Sequence, residues 1–212
     1  MTDIKICGLS SPETIDAAIA AGATHVGFVF YPPSPRNLLF AQAEALARRV
    51  PPRVRRVGVF VDPDDALLDA AIACGLDMVQ LHGREPTERI GEIRSRYRLP
   101  LWRAAGVATR ADVTAAIAKA RGVSDLLLFD AKAPSGAALP GGNGVRFDWR
   151  LLAGIAPATP WGLSGGLDAG NVAEAVRGSG APLIDVSSGV EDAPGVKSVH
   201  KIKAFIEAVR AA

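Results

Sequence analysis

Cys7 closes the apolar run Ile4-Lys5-Ile6-Cys7 and stops against Gly8, while Asp130 closes Leu126-Leu127-Leu128-Phe129-Asp130 far along the chain. A thiol and a carboxyl, each at the carboxyl end of its own strand, face each other only where both strands belong to one parallel, closed sheet. The two groups offer one proton acceptor and one proton donor. No metal-ligand cluster or dinucleotide-binding loop accompanies them in the sequence, so the expected chemistry is proton transfer with neither cofactor nor metal.

Strand alternation puts Lys5 and Cys7 on one face and Ile4 and Ile6 on the other. If the isoleucines pack outward, the lysine and the thiol point inward. A nearby ammonium would favour the thiolate, whose unperturbed pKa of about 8.5 is high for a base at neutral pH. Asp130 shares its face with Leu128 and Leu126, and a carboxyl in apolar surroundings keeps its proton, as a general acid must. Arg36 ends the proline-rich segment Tyr31-Pro32-Pro33-Ser34-Pro35-Arg36 and could grip a carboxylate with its planar fork. His82, after Gln80-Leu81, is a candidate polar wall. His25, ahead of the second strand, reads as structural, and Cys74 reads as core.

Two small-residue loops follow the last two strands, Ser164-Gly165-Gly166 and Ser187-Ser188-Gly189. Loops at these places suit a phosphate: glycines let backbone N–H groups approach, and the serines add hydroxyl donors. The same stretch supports a rival. Gly162-Leu163-Ser164-Gly165-Gly166 matches a G-x-S-x-G nucleophile elbow, with Asp185 and His200 following in hydrolase order. Only about one strand remains after the elbow, and His200 lies in a helix-like run, so the hydrolase is the weaker reading.

The elements that must position these residues recur along the whole chain. Apolar runs at Ile4–Cys7, Val26–Phe30, Val57–Val61, Met78–His82, Leu101–Ala105, Leu126–Asp130, Pro160–Leu163 and Leu183–Val186 are each followed by a polar turn and a helical pattern. Helical periodicity covers Ser11–Ala21, Ala41–Val50, Asp64–Cys74 and Thr109–Ala120. Continuously apolar strands imply burial on both faces and a parallel sheet. Eight such units predict a single (β/α)8 TIM barrel with eight parallel strands spanning 1–212, an open doubly wound sheet being the alternative. Ser11-Pro12 and Asp62-Pro63 predict N-caps, and Gly22, Gly75 and Gly122 predict C-caps. The long glycine-rich loop Lys132–Val145 reads as a flexible lid over the catalytic face.

Composition bounds the function. Of 212 residues, 49% are hydrophobic and 22% charged, and a net charge of +2 with scattered arginines argues against nucleic acid. Two cysteines make no disulfide framework, and there is no secretory leader pattern or apolar run of membrane-spanning length, so a cytoplasmic enzyme is expected.

With these residues in place, the chain closely resembles the phosphoribosylanthranilate isomerase family of tryptophan biosynthesis. The resemblance rests on Lys5-Ile6-Cys7-Gly8-Leu9, Ser34-Pro35-Arg36, Gln80-Leu81-His82-Gly83, Leu128-Phe129-Asp130-Ala131-Lys132, Gly162-Leu163-Ser164-Gly165-Gly166 and Asp185-Val186-Ser187-Ser188-Gly189-Val190-Glu191, in the right order and spacing. It implies a cofactor-independent Amadori rearrangement of a phosphorylated sugar–anthranilate, with Asp130 as general acid and Cys7 as general base. It further implies that Arg36 holds the anthranilate carboxylate, that His82 and Asp185 line the pocket, and that Gly165, Gly166, Ser187, Ser188 and Gly189 hold the phosphate. Monomers and homodimers are both expected. A sister isomerase of histidine biosynthesis is less similar, carrying an aspartate where Cys7 stands and a two-fold repeat that is absent here. A phosphate-ligand binder without activity is the third class. Asn143, Gly170 and Ser198 depart from the family pattern, leaving lid behaviour and helix stability open.

Overall fold

The computed structural model describes every residue except Met1, Ser135, Ala138 and Asn143. Its strands are β1 (Asp3–Cys7), β2 (His25–Phe30), β3 (Arg55–Phe60), β4 (Met78–Leu81), β5 (Leu101–Val107), β6 (Leu126–Ala131), β7 (Trp161–Leu163) and β8 (Leu183–Val186). They pair in parallel in chain order, and β8 returns to β1, closing the predicted (β/α)8 barrel.

The two strand faces feed two cores. Outward residues such as Ile4, Ile6, Phe28, Phe30, Leu127 and Phe129 join the helices in one large cluster. Inward residues Val57, Trp102, Ala104, Leu126, Leu128 and Leu183 fill the lower barrel. Cys7, Val29 and Val59 form a small group inside the barrel. Lys5 and Cys7 therefore point inward, as alternation requires. Below, His25 packs at a tilt against Trp102 with ring centroids 5.0 Å apart, and burial lowers its pKa to about 4, which keeps the ring neutral.

Seven α-helices clothe the barrel among the described residues: α1 (Pro12–Ala21), α2 (Phe40–Ala47), α3 (Asp65–Ala73), α4 (Thr87–Tyr97), α5 (Arg110–Ala120), α6 (Val172–Ser179) and α7 (Val199–Arg210). Ser11 caps α1 ahead of Pro12, and Gly22 ends it at φ +104°. The predicted Asp62 cap is wrong. Asp64 caps α3, accepting from Leu67 N–H at 2.8 Å. Asp62 sits at φ +46° and instead accepts from Arg84 N–H at 2.8 Å, tying the loop after β3 to the loop after β4. Helix α2 stops at Ala47, short of the expected Val50, because Arg49 and Val50 turn back onto Leu46 and Ala47 before Pro51.

The sixth unit breaks the expected pattern. Between β6 and β7 stand residues 132–148 and a single 3₁₀ turn, Trp149–Leu152, where a helix was predicted. Glycines and prolines on both sides deny it a longer helix, and the space goes to the loop over the barrel mouth. Among the described residues no helix is long and apolar enough to cross a membrane.

Candidate active site

A cleft opens at the carboxyl ends of the strands, and Cys7, Arg36, His82, Asp130 and Asp185 all line it. The predicted catalytic and substrate-binding residues thus come together from β1, β4, β6, β8 and the loop after β2.

On the β1 side, Lys5 and Asp185 stand in register on neighbouring strands and form an ion pair of 3.0 Å inside the barrel. Burial alone would lower the Lys5 pKa, but Asp185 and Cys7 outweigh it and the ammonium is held above its usual value. Gly27 lies opposite Cys7 in the register, and a Cβ there would stand 2.9 Å from Cys7 Sγ and 3.2 Å from Lys5 Nζ. A glycine is what lets thiol and ammonium converge. Lys5 does pull the thiol pKa down, as expected, but burial is the larger effect and Asp185 adds to it, so the Cys7 thiol is held above its usual value.

Across the mouth, Asp130 is buried, yet its surroundings are not the apolar ones expected. Its Oδ1 accepts from Ala131 N–H at 2.8 Å, and its Oδ2 lies 3.1 Å from His82 Nε2. His82 follows β4 directly, anchored by its N–H on Phe60 O at 2.8 Å. Buried Glu85 accepts from both Gly83 and Asp62 N–H and stiffens the turn behind it. Leu128, by contrast, belongs to the layer below.

Arg36 is buried, and its fork is already engaged. Nε and Nη2 donate to the two oxygens of Glu191 at 2.7 and 2.9 Å, and on the other edge Nη2 also donates to Gly142 O of the lid at 3.4 Å. Glu191 opens β9 (Glu191–Ala193), and it also receives Lys197 Nζ, from β10 (Val196–Lys197), at 2.7 Å. Burial opposes the Glu191 carboxylate, but Arg36 and Lys197 win and its pKa is lowered; burial lowers that of Lys197. Glu191 and Lys197 were not singled out in the sequence. A glutamate inside a serine–glycine motif was a weak signal; a lysine on a two-residue strand gave none.

The glycine- and serine-rich loops after β7 and β8 differ in what they offer the cleft. Gly165 and Gly166 adopt φ of +92° and +62°, and among the described residues no hydrogen bond engages their N–H groups. Ser188 also lines the cleft. Ser187 lines it too, but its hydroxyl donates to Cys7 O at 3.2 Å and accepts from Lys197 Nζ at 3.1 Å. Gly189 lies outside the lining; a Cβ there would collide with Leu167 O, so its smallness serves loop packing.

The predicted lid does cover the cleft: Leu139, Pro140, Gly141, Gly142, Gly144 and Val145 line it, whereas Asn143 lies outside the described residues. The hydrolase geometry is absent. Ser164 Oγ reaches Asp185 Oδ2 at 3.4 Å, but His200 is exposed on α7.

Residues 4–208 match the sequence model of N-(5'phosphoribosyl)anthranilate (PRA) isomerase. The N-(5'-phosphoribosyl)anthranilate isomerase of Parvibaculum lavamentivorans is 54% identical over 213 residues, covering 99% of this chain and 98% of its own. Phosphoribosyl anthranilate isomerase in complex with reduced 1-(o-carboxyphenylamino)-1-deoxyribulose 5-phosphate superposes with a TM-score of 0.84 at 35% identity, covering all of both chains. Monomers of a dimeric phosphoribosylanthranilate isomerase from Thermotoga maritima give 0.83 at 35% identity, again over all of both chains. The chain belongs to the phosphoribosylanthranilate isomerase family.

Proposed function

We propose that the protein converts N-(5-phosphoribosyl)anthranilate to 1-(2-carboxyphenylamino)-1-deoxyribulose 5-phosphate, an Amadori rearrangement in tryptophan biosynthesis. The observation that carries this reading is that a thiol and a carboxyl from opposite sides of a closed barrel line one cleft, with an arginine and two glycine-rich loops flanking them.

Asp130 protonates the furanose ring oxygen; the C1–O bond breaks with its electron pair on oxygen, and the anthranilate nitrogen forms the Schiff base. Cys7, as thiolate, then removes the proton from C2, and the resulting enol becomes the ketone. Around Cys7 stand three cations, Lys5, Arg36 and Lys197, and two carboxylates, Asp185 and Glu191, leaving one positive charge in excess. That excess favours both the thiolate and an anionic substrate. Arg36 offers its outer edge, where Nη2 also reaches Gly142 O, to the anthranilate carboxylate, and Gly165, Gly166 and Ser188 offer donors to the phosphate. The two anionic handles orient the reacting carbons between acid and base. No cofactor enters the scheme.

The test is loss of anthranilate-type fluorescence when the purified protein meets freshly made phosphoribosylanthranilate. Wild type turns over; Cys7→Ser and Asp130→Asn each lose about 10²–10⁴-fold, the scale of a positioned acid or base. A folded wild type without turnover would overturn the assignment.

A further inference from the structure

We propose that His82, held in one tautomer by Gln80, is a positioning residue that stabilises the carboxylate Asp130 becomes when it gives its proton to the sugar ring oxygen. The inference rests on Asp130 being the general acid, and it gives His82 a partner in the protein where a contact with substrate was expected.

The geometry starts at Asp130. One carboxyl oxygen, Oδ1, is fixed by the N–H of Ala131 at 2.8 Å, so Oδ2 is the oxygen left to exchange a proton. That oxygen is the one 3.1 Å from His82 Nε2. On the far side of the ring, Gln80 Nε2 lies 3.5 Å from His82 Nδ1. With the amide NH₂ of Gln80 facing the ring, Nδ1 accepts, and a neutral imidazole then carries its single proton on Nε2, aimed at Asp130. Gln80 is 1% exposed and its Oε1 has no partner among the described residues. Such an orphan is costly, and it persists here at the one position that sets the histidine tautomer. The lid completes the arrangement. A Cβ on Gly141 would stand 2.6 Å from His82 Nε2 and 2.8 Å from Asp130 Oδ2, so lid backbone covers the pair and keeps water from it.

The step balances. As the Asp130 O–H bond breaks, its proton bonds to the ring oxygen, and negative charge appears on Oδ2, where the Nε2–H already points. A hydrogen bond to a charged group is stronger than one to its neutral form, so His82 favours the state after transfer over the state before it.

Two measurements test this. In kinetics, His82→Ala lowers kcat roughly 10–10²-fold, the worth of one hydrogen bond to a charged group, with KM little changed. His82→Gln, which keeps an N–H donor, restores most of the loss, and Gln80→Leu shows a smaller loss of kcat. Independently of turnover, ¹⁵N NMR of the labelled histidine ring places the proton on Nε2 and leaves Nδ1 bare. An unchanged kcat in His82→Ala, an equal loss in His82→Gln, or the opposite tautomer would overturn the inference. Because wild type and Asp130→Asn are measured beside them, loss of activity on Asp130→Asn with His82→Ala unaffected rejects this inference alone. Full activity in Asp130→Asn rejects the acid assignment beneath it.

Discussion

The β1–β8 side of the barrel mouth and the β4–β6 side meet opposite electrostatic demands with different materials. Around Cys7 the wall is built of full charges: Lys5 on Asp185, and Arg36 and Lys197 on Glu191, all buried. Around Asp130 it is built of N–H donors, from Ala131 and His82, under a glycine lid. A base that must become an anion gains from an excess cation nearby, whereas an acid that starts neutral would be discharged early by one. Dipolar donors respond to the charge only as it forms. Asp130 and Cys7, the proposed acid and base, thus differ in the composition of their walls, since both groups are similarly buried.

The largest way to break that contrast is to open the charge network at its centre. Glu191→Leu leaves Arg36 and Lys197 buried without their shared carboxylate, and stability falls by roughly 3–5 kcal/mol in chemical denaturation. KM rises as well, because Arg36 loses the partner that aims it. Glu191→Gln, keeping the shape, recovers part of both. If Glu191→Leu is as stable as wild type, the network is not what organises this wall.

Gly141→Ala probes the other side. The added methyl group pushes the lid from His82 and Asp130, and kcat falls up to about 10²-fold, as displacements near 1 Å in an active site do. Unfolding midpoints stay near those of wild type, since the lid adds little core.

Titration of the thiol sharpens the comparison further. Because burial raises its pKa, Cys7 in the unliganded protein is mostly thiol at neutral pH. Iodoacetamide alkylation, followed in a Cys74→Ala background, rises with pH through a midpoint above the ordinary thiol value. A midpoint below that value would mean the cations outweigh burial. The smallest effect is expected at the rim. Arg146 pairs with Asp168 at 2.6 Å and with Gly166 O at 3.0 Å, but the ion pair is exposed. Arg146→Met should cost less than about 1 kcal/mol and change kcat/KM only a few-fold.

Much of this was legible in residue order. Continuous apolar strands named a parallel barrel because burial on both faces leaves no polar alternation. Alternation also placed Lys5 and Cys7 inward, since period two holds for any strand. The glycines at 165 and 166 were readable as a close-approach loop because few other residues tolerate their backbone angles. The sixth unit was misread, because a strand followed by a long glycine-rich segment carries no sign that a helix is missing. Asp62 was misread because an Asp-Pro pair looks the same whether it caps a helix or ties two loops.

The chain by itself determined which groups reach the mouth and that they arrive from strand ends, for these follow from local periodicity and turn chemistry. Only the tertiary structure decided what each group meets there. Glu191, Lys197 and Gln80 enter the site through contacts between distant segments, and a pKa depends on those neighbours and on burial. Neither is written in the spacing of residues along one chain.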